Sequence, residues 1–174
     1  MPVYAFEDKE PRIDPTAFVH PEAVIIGSVQ IGPECFIGPG AILRGDFGDI
    51  MVSEGASVQD NAVIHVNERT RAFIGPGCII AHGATLHHPE LERDVMVGMN
   101  AVILHGSKVG ASCVIASLCV LKEGSVFGPG KLIAGIPGRV VREVSDAMKE
   151  RIRAGAAMYR ELAKRYQEGL RRLD

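Results

Sequence analysis

Residues 25–42 read IIGSVQ-IGPECF-IGPGAI, three hexapeptides in a row that each open on a large aliphatic residue: Ile25, Ile31 and Ile37. The same spelling extends in both directions. Upstream the openers are Ile13 and Val19. Downstream they are Leu43, Val52, Val58, Ile64, Ile74, Ile80, Leu86, Leu91, Val97, Ile103, Val109, Ile115, Leu121, Phe127 and Ile133. A period of six held over residues 13–138 is the mark of a stacked solenoid.

The other positions of the hexad explain how the chain turns. The fifth is small almost throughout, as at Ala23, Cys35, Ala41, Ala62, Cys78, Ala84, Ala101, Cys113 and Cys119. The third often carries Pro, as at Pro15, Pro21, Pro33, Pro39, Pro76 and Pro129, and the fourth often Gly, as at Gly40, Gly55, Gly77, Gly83 and Gly124. Proline fixes φ at a bend and glycine accepts the positive φ of a tight corner. Each hexad is therefore a short strand and a corner. Three hexads close one triangular coil, and successive coils stack into parallel sheets.

Composition agrees and narrows the class. The 174 residues suit one domain with a large core, but aromatics make up 5 % and Trp is absent, so that core is aliphatic. The net charge of −2 gives no sign of a nucleic-acid partner. No apolar run approaches a membrane span, and the opening MPVYAFEDKEPRI reads as neither signal nor transit peptide, so a cytoplasmic protein is expected. Cys35, Cys78, Cys113 and Cys119 contain no CxxC pair and read as small buried corner residues.

The hexad count also works as a ruler. Its register breaks at Leu43–Val52, Ile64–Ile74 and Leu86–Leu91. Counted in threes, Leu43, Ile64 and Leu86 open the same face on successive coils, so three irregular loops should leave one corner, where function is expected. Arg44, His65 and His87 each follow one of these openers and should form a column, about 5 Å apart along the stack. Asp60 and His82 should form a second column on the preceding face. Two imidazoles one rung apart can share a metal. His82 is five residues from His87, about 16 Å of extended chain, which suits donation to a neighbouring subunit rather than to its own. His20, His88 and His105 read as single exposed histidines, although His88, adjacent to His87, could serve as a substitute ligand.

The runs LRGDFGD (43–49), VQDNAVIH (58–65), IIAHGATLHH (79–88), VGMNAVIL (97–104) and AGIPGRVVRE (134–143) together resemble the γ-class carbonic anhydrase-like family of hexapeptide-repeat proteins. The resemblance implies a left-handed parallel β-helix and a homotrimer with a zinc ion at each subunit boundary, held by His65, His82 and His87. It also implies that Arg44 and Asp46 organise the interface and that Gln59 and Asp60 lie near a metal-bound water. Glu68 is a candidate proton relay. The chain departs from the family at His87-His88-Pro89 and at Phe47. Zinc-dependent hydration of carbon dioxide is the expected activity, with iron or cobalt also compatible with three imidazoles. A CoA-thioester hydrolase, an acyltransferase that uses a histidine base, and a metal-stabilised structural trimer are the alternatives. The expected architecture is an all-β solenoid over residues 1–138, followed by an amphipathic segment over 139–174. There a helix from about 144 to 172, kinked at Gly155, should pack on the coil or on a neighbouring subunit.

Overall fold

The computed structural model describes residues 2–174 and is a left-handed parallel β-helix closed by one C-terminal helix. Three columns of short strands form its faces. The first stacks the start of Ile42–Val52 with Val63–His65, Thr85–His87, Val102–Ile103 and Val120–Leu121. The second stacks the end of Ile42–Val52 with Arg71–Ile74, Glu90–Leu91, Lys108–Val109 and Val126–Phe127. The third runs from Phe18–Val19 through Phe36–Ile37, Ser57–Val58, Ile79–Ile80, Met96–Val97 and Val114–Ile115 to Lys131–Ala134.

The hexad openers fill the interior. Ile25, Ile37, Leu43, Ile64, Ile80, Leu86, Ile103 and Ile115 are fully buried in one continuous cluster, with Ala23, Cys35, Ala62 and Cys113 beneath the corners. The four cysteines are free and buried, and burial pushes the thiols of Cys35 and Cys78 up to about 12. Both are thus neutral hydrogen-bond donors, Cys35 Sγ to the Ser53 carbonyl at 3.0 Å and Cys78 Sγ to the Glu92 carbonyl at 3.0 Å. Position four takes a left-handed backbone at most of the regular corners, including several that lack glycine. Glu34, Asn61, Asp94, Asn100 and Leu118 all adopt φ between 54° and 62° there, beside the expected glycines.

Three expectations from the sequence need correction. The break after Leu43 is not an irregular loop. Ile42–Val52 is one continuous strand that turns the corner and pairs with Val24–Ile31, with a register shift between Gly27 and Val29. A side chain at Gly27 would run into the carbonyl of Gly45, and Gly27 itself has φ +75°, so two glycines let the backbones meet at this corner. Residues 139–143 do not begin the helical segment. They form the strand Arg139–Glu143, which returns antiparallel against Lys131–Ala134 and closes the end of the third face.

Helix α1 spans Asp146–Gly169, with Ser145 as its N-cap accepting from the amide of Met148. It is continuous through Gly155. That glycine marks close packing rather than a kink, because a Cβ there would lie 3.0 Å from Ile79 Cδ1. The helix lies along the third face of its own coil. Ile152 and Ala156 pack on Ile79, and Ala163, Tyr159 and Tyr166 pack on Phe18 and Phe36. The first face, with its histidine column, stays clear of the helix.

Candidate functional site

Arg44, His65 and His87 are Cα partners on three successive rungs, so the column counted from sequence is present as drawn. Strand alternation puts Asp46 on the same side of its strand as Arg44, two residues on. There it takes both neighbours. Arg44 Nη1 donates to Asp46 Oδ2, and His65 Nε2 lies 3.0 Å from Asp46 Oδ1. The Phe47 amide also donates to Asp46 Oδ1 at 3.0 Å. Lys9 Nζ reaches the Asp46 carbonyl from the N-terminal segment. Burial alone would raise the Asp46 carboxyl, but the hydrogen bonds from Arg44, His65 and Phe47 outweigh it and hold the group below the usual carboxylate range.

Asp46 therefore stays ionised and fixes His65 with its proton on Nε2, which leaves Nδ1 as the acceptor nitrogen, turned toward His87. That Nδ1 lies 3.2 Å from His87 Nε2, and the two rings meet edge to face at 5.0 Å between centroids. The far nitrogen of His87, Nδ1, is buried and has no hydrogen-bond partner among the described residues. Burial, then the neighbouring His105, His65, His88 and Arg44, push the imidazole of His87 from 6.5 down to about 4. It is neutral at physiological pH. The Asp46 and His65 side chains are each 15 % exposed, while Arg44 at 41 % forms an open rim.

A pH dependence follows from the depressed His87. Its folded value lies below its unfolded one, so between about 6.5 and about 4 the unfolded chain binds a proton that the folded chain does not. Stability is expected to fall as pH drops from 6.5 and to level off near 4. The His87→Gln variant should lack this component. Thermal midpoints measured across that range check it, and identical profiles for both proteins would exclude it.

The remaining nominated residues divide into two groups. His82 Nδ1 lies 3.0 Å from Asp60 Oδ2, so the second column also exists, and both side chains are partly open. Gln59 beside them is buried. Within one chain His82 is not among the histidines whose nitrogens converge. Glu68 sits in a solvent-facing turn, 3.5 Å from Arg69, and lines a shallow cleft with Lys9, Phe47 and Arg71. Among the described residues no hydrogen bond joins it to a histidine.

His88 and His105 are not isolated, contrary to the expectation. The rings of His87 and His105 are 4.1 Å apart, and those of His88 and His105 stack at 5.3 Å. The hexad ruler contained the signal. Leu86, Ile103 and Leu121 are rung partners, so His88, His105 and Glu123, each two residues on, share a column.

The chain matches the bacterial transferase hexapeptide model (six repeats) over residues 10–45 and 88–123. It is 44 % identical to carnitine operon protein CaiE of Escherichia coli K12 over 84 % of this chain and 74 % of that protein. It is 38 % identical to CaiE of a Proteus species over 98 % and 86 %. Among solved structures it resembles a Bacillus cereus protein described as an acetyltransferase (TM-score 0.94, 25 % identity, 95 % and 96 % coverage). It also resembles a hexapeptide transferase family protein from Anaplasma phagocytophilum (TM-score 0.88, 30 % identity, 95 % and 98 % coverage). These relatives overturn the expected zinc-dependent hydration of carbon dioxide. Their names point instead to acyl transfer and to a carnitine operon. The misreading has a physical cause: a histidine set that could hold zinc also offers a carboxylate-held imidazole base, and residue types alone do not separate the two. Among the described residues, no helix is long and apolar enough to cross a membrane.

Proposed function

The chain belongs to the γ-carbonic anhydrase-like, hexapeptide-repeat family together with carnitine operon protein CaiE, and from that premise we propose that it is an acyltransferase acting on a coenzyme A thioester. The Asp46–His65–His87 chain of contacts carries this reading. An ionised carboxylate orients His65 and leaves one ring nitrogen as a proton acceptor, which is the arrangement general-base catalysis needs. The acceptor's hydroxyl or amine replaces His87 Nε2 as the hydrogen-bond partner of His65 Nδ1, and His65 takes its proton as that group attacks the thioester carbonyl. Asp46 stabilises the imidazolium. The carbon–sulfur bond then breaks, and the imidazolium returns the proton to the departing thiolate, giving free CoA and the acylated acceptor. The relatives' operon makes the hydroxyl of carnitine the first acceptor to assay.

A bound divalent metal is a second use of the same nitrogens. Two imidazoles on one tetrahedral zinc stand about 3.4 Å apart, given bonds of about 2.0–2.1 Å, and the observed 3.2 Å between His65 Nδ1 and His87 Nε2 fits. The third ligand would be His82 of a neighbouring copy in a homotrimer. Zinc, iron or cobalt would suit three imidazoles and, when bound, would polarise a carbonyl oxygen as a Lewis acid. In that state His65 and His87 are ligands rather than bases, and their role is to fix the ion at the subunit boundary.

Free thiol released from acetyl-CoA, measured with and without carnitine, other alcohols and amines, tests the function. Acceptor-dependent release is expected. Release independent of any acceptor would replace transfer with thioester hydrolysis, and no release at all would reject both. Prior dialysis against a chelator separates the two uses of the histidines. A base needs no metal and keeps its rate, whereas a resident metal makes both rate and thermal midpoint fall, the latter by mass action.

A further inference from the structure

We propose that His88 and His105, together with His87, form a second site for a late first-row divalent metal, on the side of the column away from His65. One ring nitrogen from each of the three lies within 4.8 Å of the other two, and no other set of three potential ligands converges this closely among the described residues. The site does not depend on acyl transfer, and it uses neither His65 nor His82.

Three observations support it. First, His87 has a spare ligand atom: its Nε2 faces His65, while Nδ1 is buried without a partner among the described residues. A buried lone pair with no donor costs free energy unless something meets it, and a cation would. Second, His88 is held in place by its backbone. Its amide donates to the His65 carbonyl at 2.9 Å, and its φ of 36° turns the chain at the corner so that consecutive histidines both remain beside His105. The one-residue shortening between Leu86 and Leu91 sets up this geometry. Third, Glu123 stands beyond His105 on the next rung, its Oε1 3.8 Å from His105 Nδ1. At 3.8 Å this is longer than a hydrogen bond, so Glu123 gives the cluster a nearby negative charge that favours a cation.

All-imidazole coordination selects zinc, nickel or copper over magnesium and calcium. The ring nitrogens are further apart than on a bound ion, so side-chain rotation of the partly exposed His88 and His105 must draw them in.

The test uses the full chain without a histidine tag, carrying His65→Ala and His82→Ala to remove the boundary site. Titration with Co²⁺, followed by its visible d–d absorption, should show one equivalent bound per chain, displaced by Zn²⁺ and not by Mg²⁺. Adding His105→Gln or His88→Asn should weaken binding by at least about 10-fold, since even loss of an outer-shell partner costs 10- to 100-fold. Glu123→Gln should weaken it less. Circular dichroism and the oligomeric mass establish that each variant is folded. Absence of Co²⁺ binding in the background protein would overturn the proposal. So would unchanged binding when His88 and His105 are both replaced.

Discussion

Alanine in place of His65 is expected to lower acceptor-dependent CoA release by about 10²- to 10⁴-fold, the usual contribution of a positioned acid–base group. The thermal midpoint should move by only a few degrees, because the ring packs at the edge of the solenoid and not in its interior. Asp46→Asn is the informative companion. The side chain keeps its shape, but loses the charge that fixes the His65 tautomer and stabilises the imidazolium. A loss of about 10- to 100-fold is expected, as for other partners that orient a functional histidine. The change should fall mainly on kcat and hardly on KM, because Asp46 touches His65 and the Arg44 guanidinium rather than the acceptor. Full activity of the His65→Ala protein would remove the base from this site. Equal losses in kcat and in CoA affinity would make Asp46 a structural residue.

Much of this site was legible before any coordinates, for a geometric reason. In a solenoid every rung repeats the last, so counting residues is equivalent to measuring position. The count placed Arg44, His65 and His87 in one column and Asp60 and His82 in another, and both columns are present. Two kinds of information were out of reach. The corner made by Gly27 and Gly45 turns a break in the period into a continuous strand, and hexad spelling does not report backbone approach across a corner. The grouping of His87, His88 and His105 follows from the same ruler, but only after the shortened hexad at Leu86–Leu91 is carried through to Ile103 and Leu121. The helix posed a different difficulty. Its apolar stripe suits the coil of its own chain or that of a neighbour equally well, and only contacts such as Ile152 against Ile79 decide. The chemistry was the least legible part, because Asp46 orients His65 in the same way whether Nδ1 takes a proton or a metal ion.

Ile64→Ala is expected to be among the most damaging single changes to stability. Ile64 is fully buried on the rung between Leu43 and Leu86. Truncation of such a side chain costs about 2–5 kcal/mol, with the larger values where the surroundings cannot close the void. Here they cannot. The flanking strands are fixed by ladder hydrogen bonds, Ile42 to the Ala62 carbonyl and Val63 to the Ala84 carbonyl, each at 2.9 Å. The neighbouring position-five residues, Ala62 and Ala84, are already small and fully buried and have nothing to swing inward. For a chain of this size the loss corresponds to a fall of roughly 4–20 °C in midpoint, whereas Ile64→Val should cost only about 0.5–1.5 kcal/mol. Urea unfolding at matched protein concentration measures both, because assembly would shift the midpoint with concentration. A cost below about 1 kcal/mol for the alanine variant would mean that the interior relaxes around this rung. The same measurement bears on function. His65 is the next residue along the strand, so any slackening at Ile64 is transmitted directly to the imidazole that Asp46 orients. Acyl transfer by the Ile64→Ala protein should therefore fall even at temperatures where it remains folded.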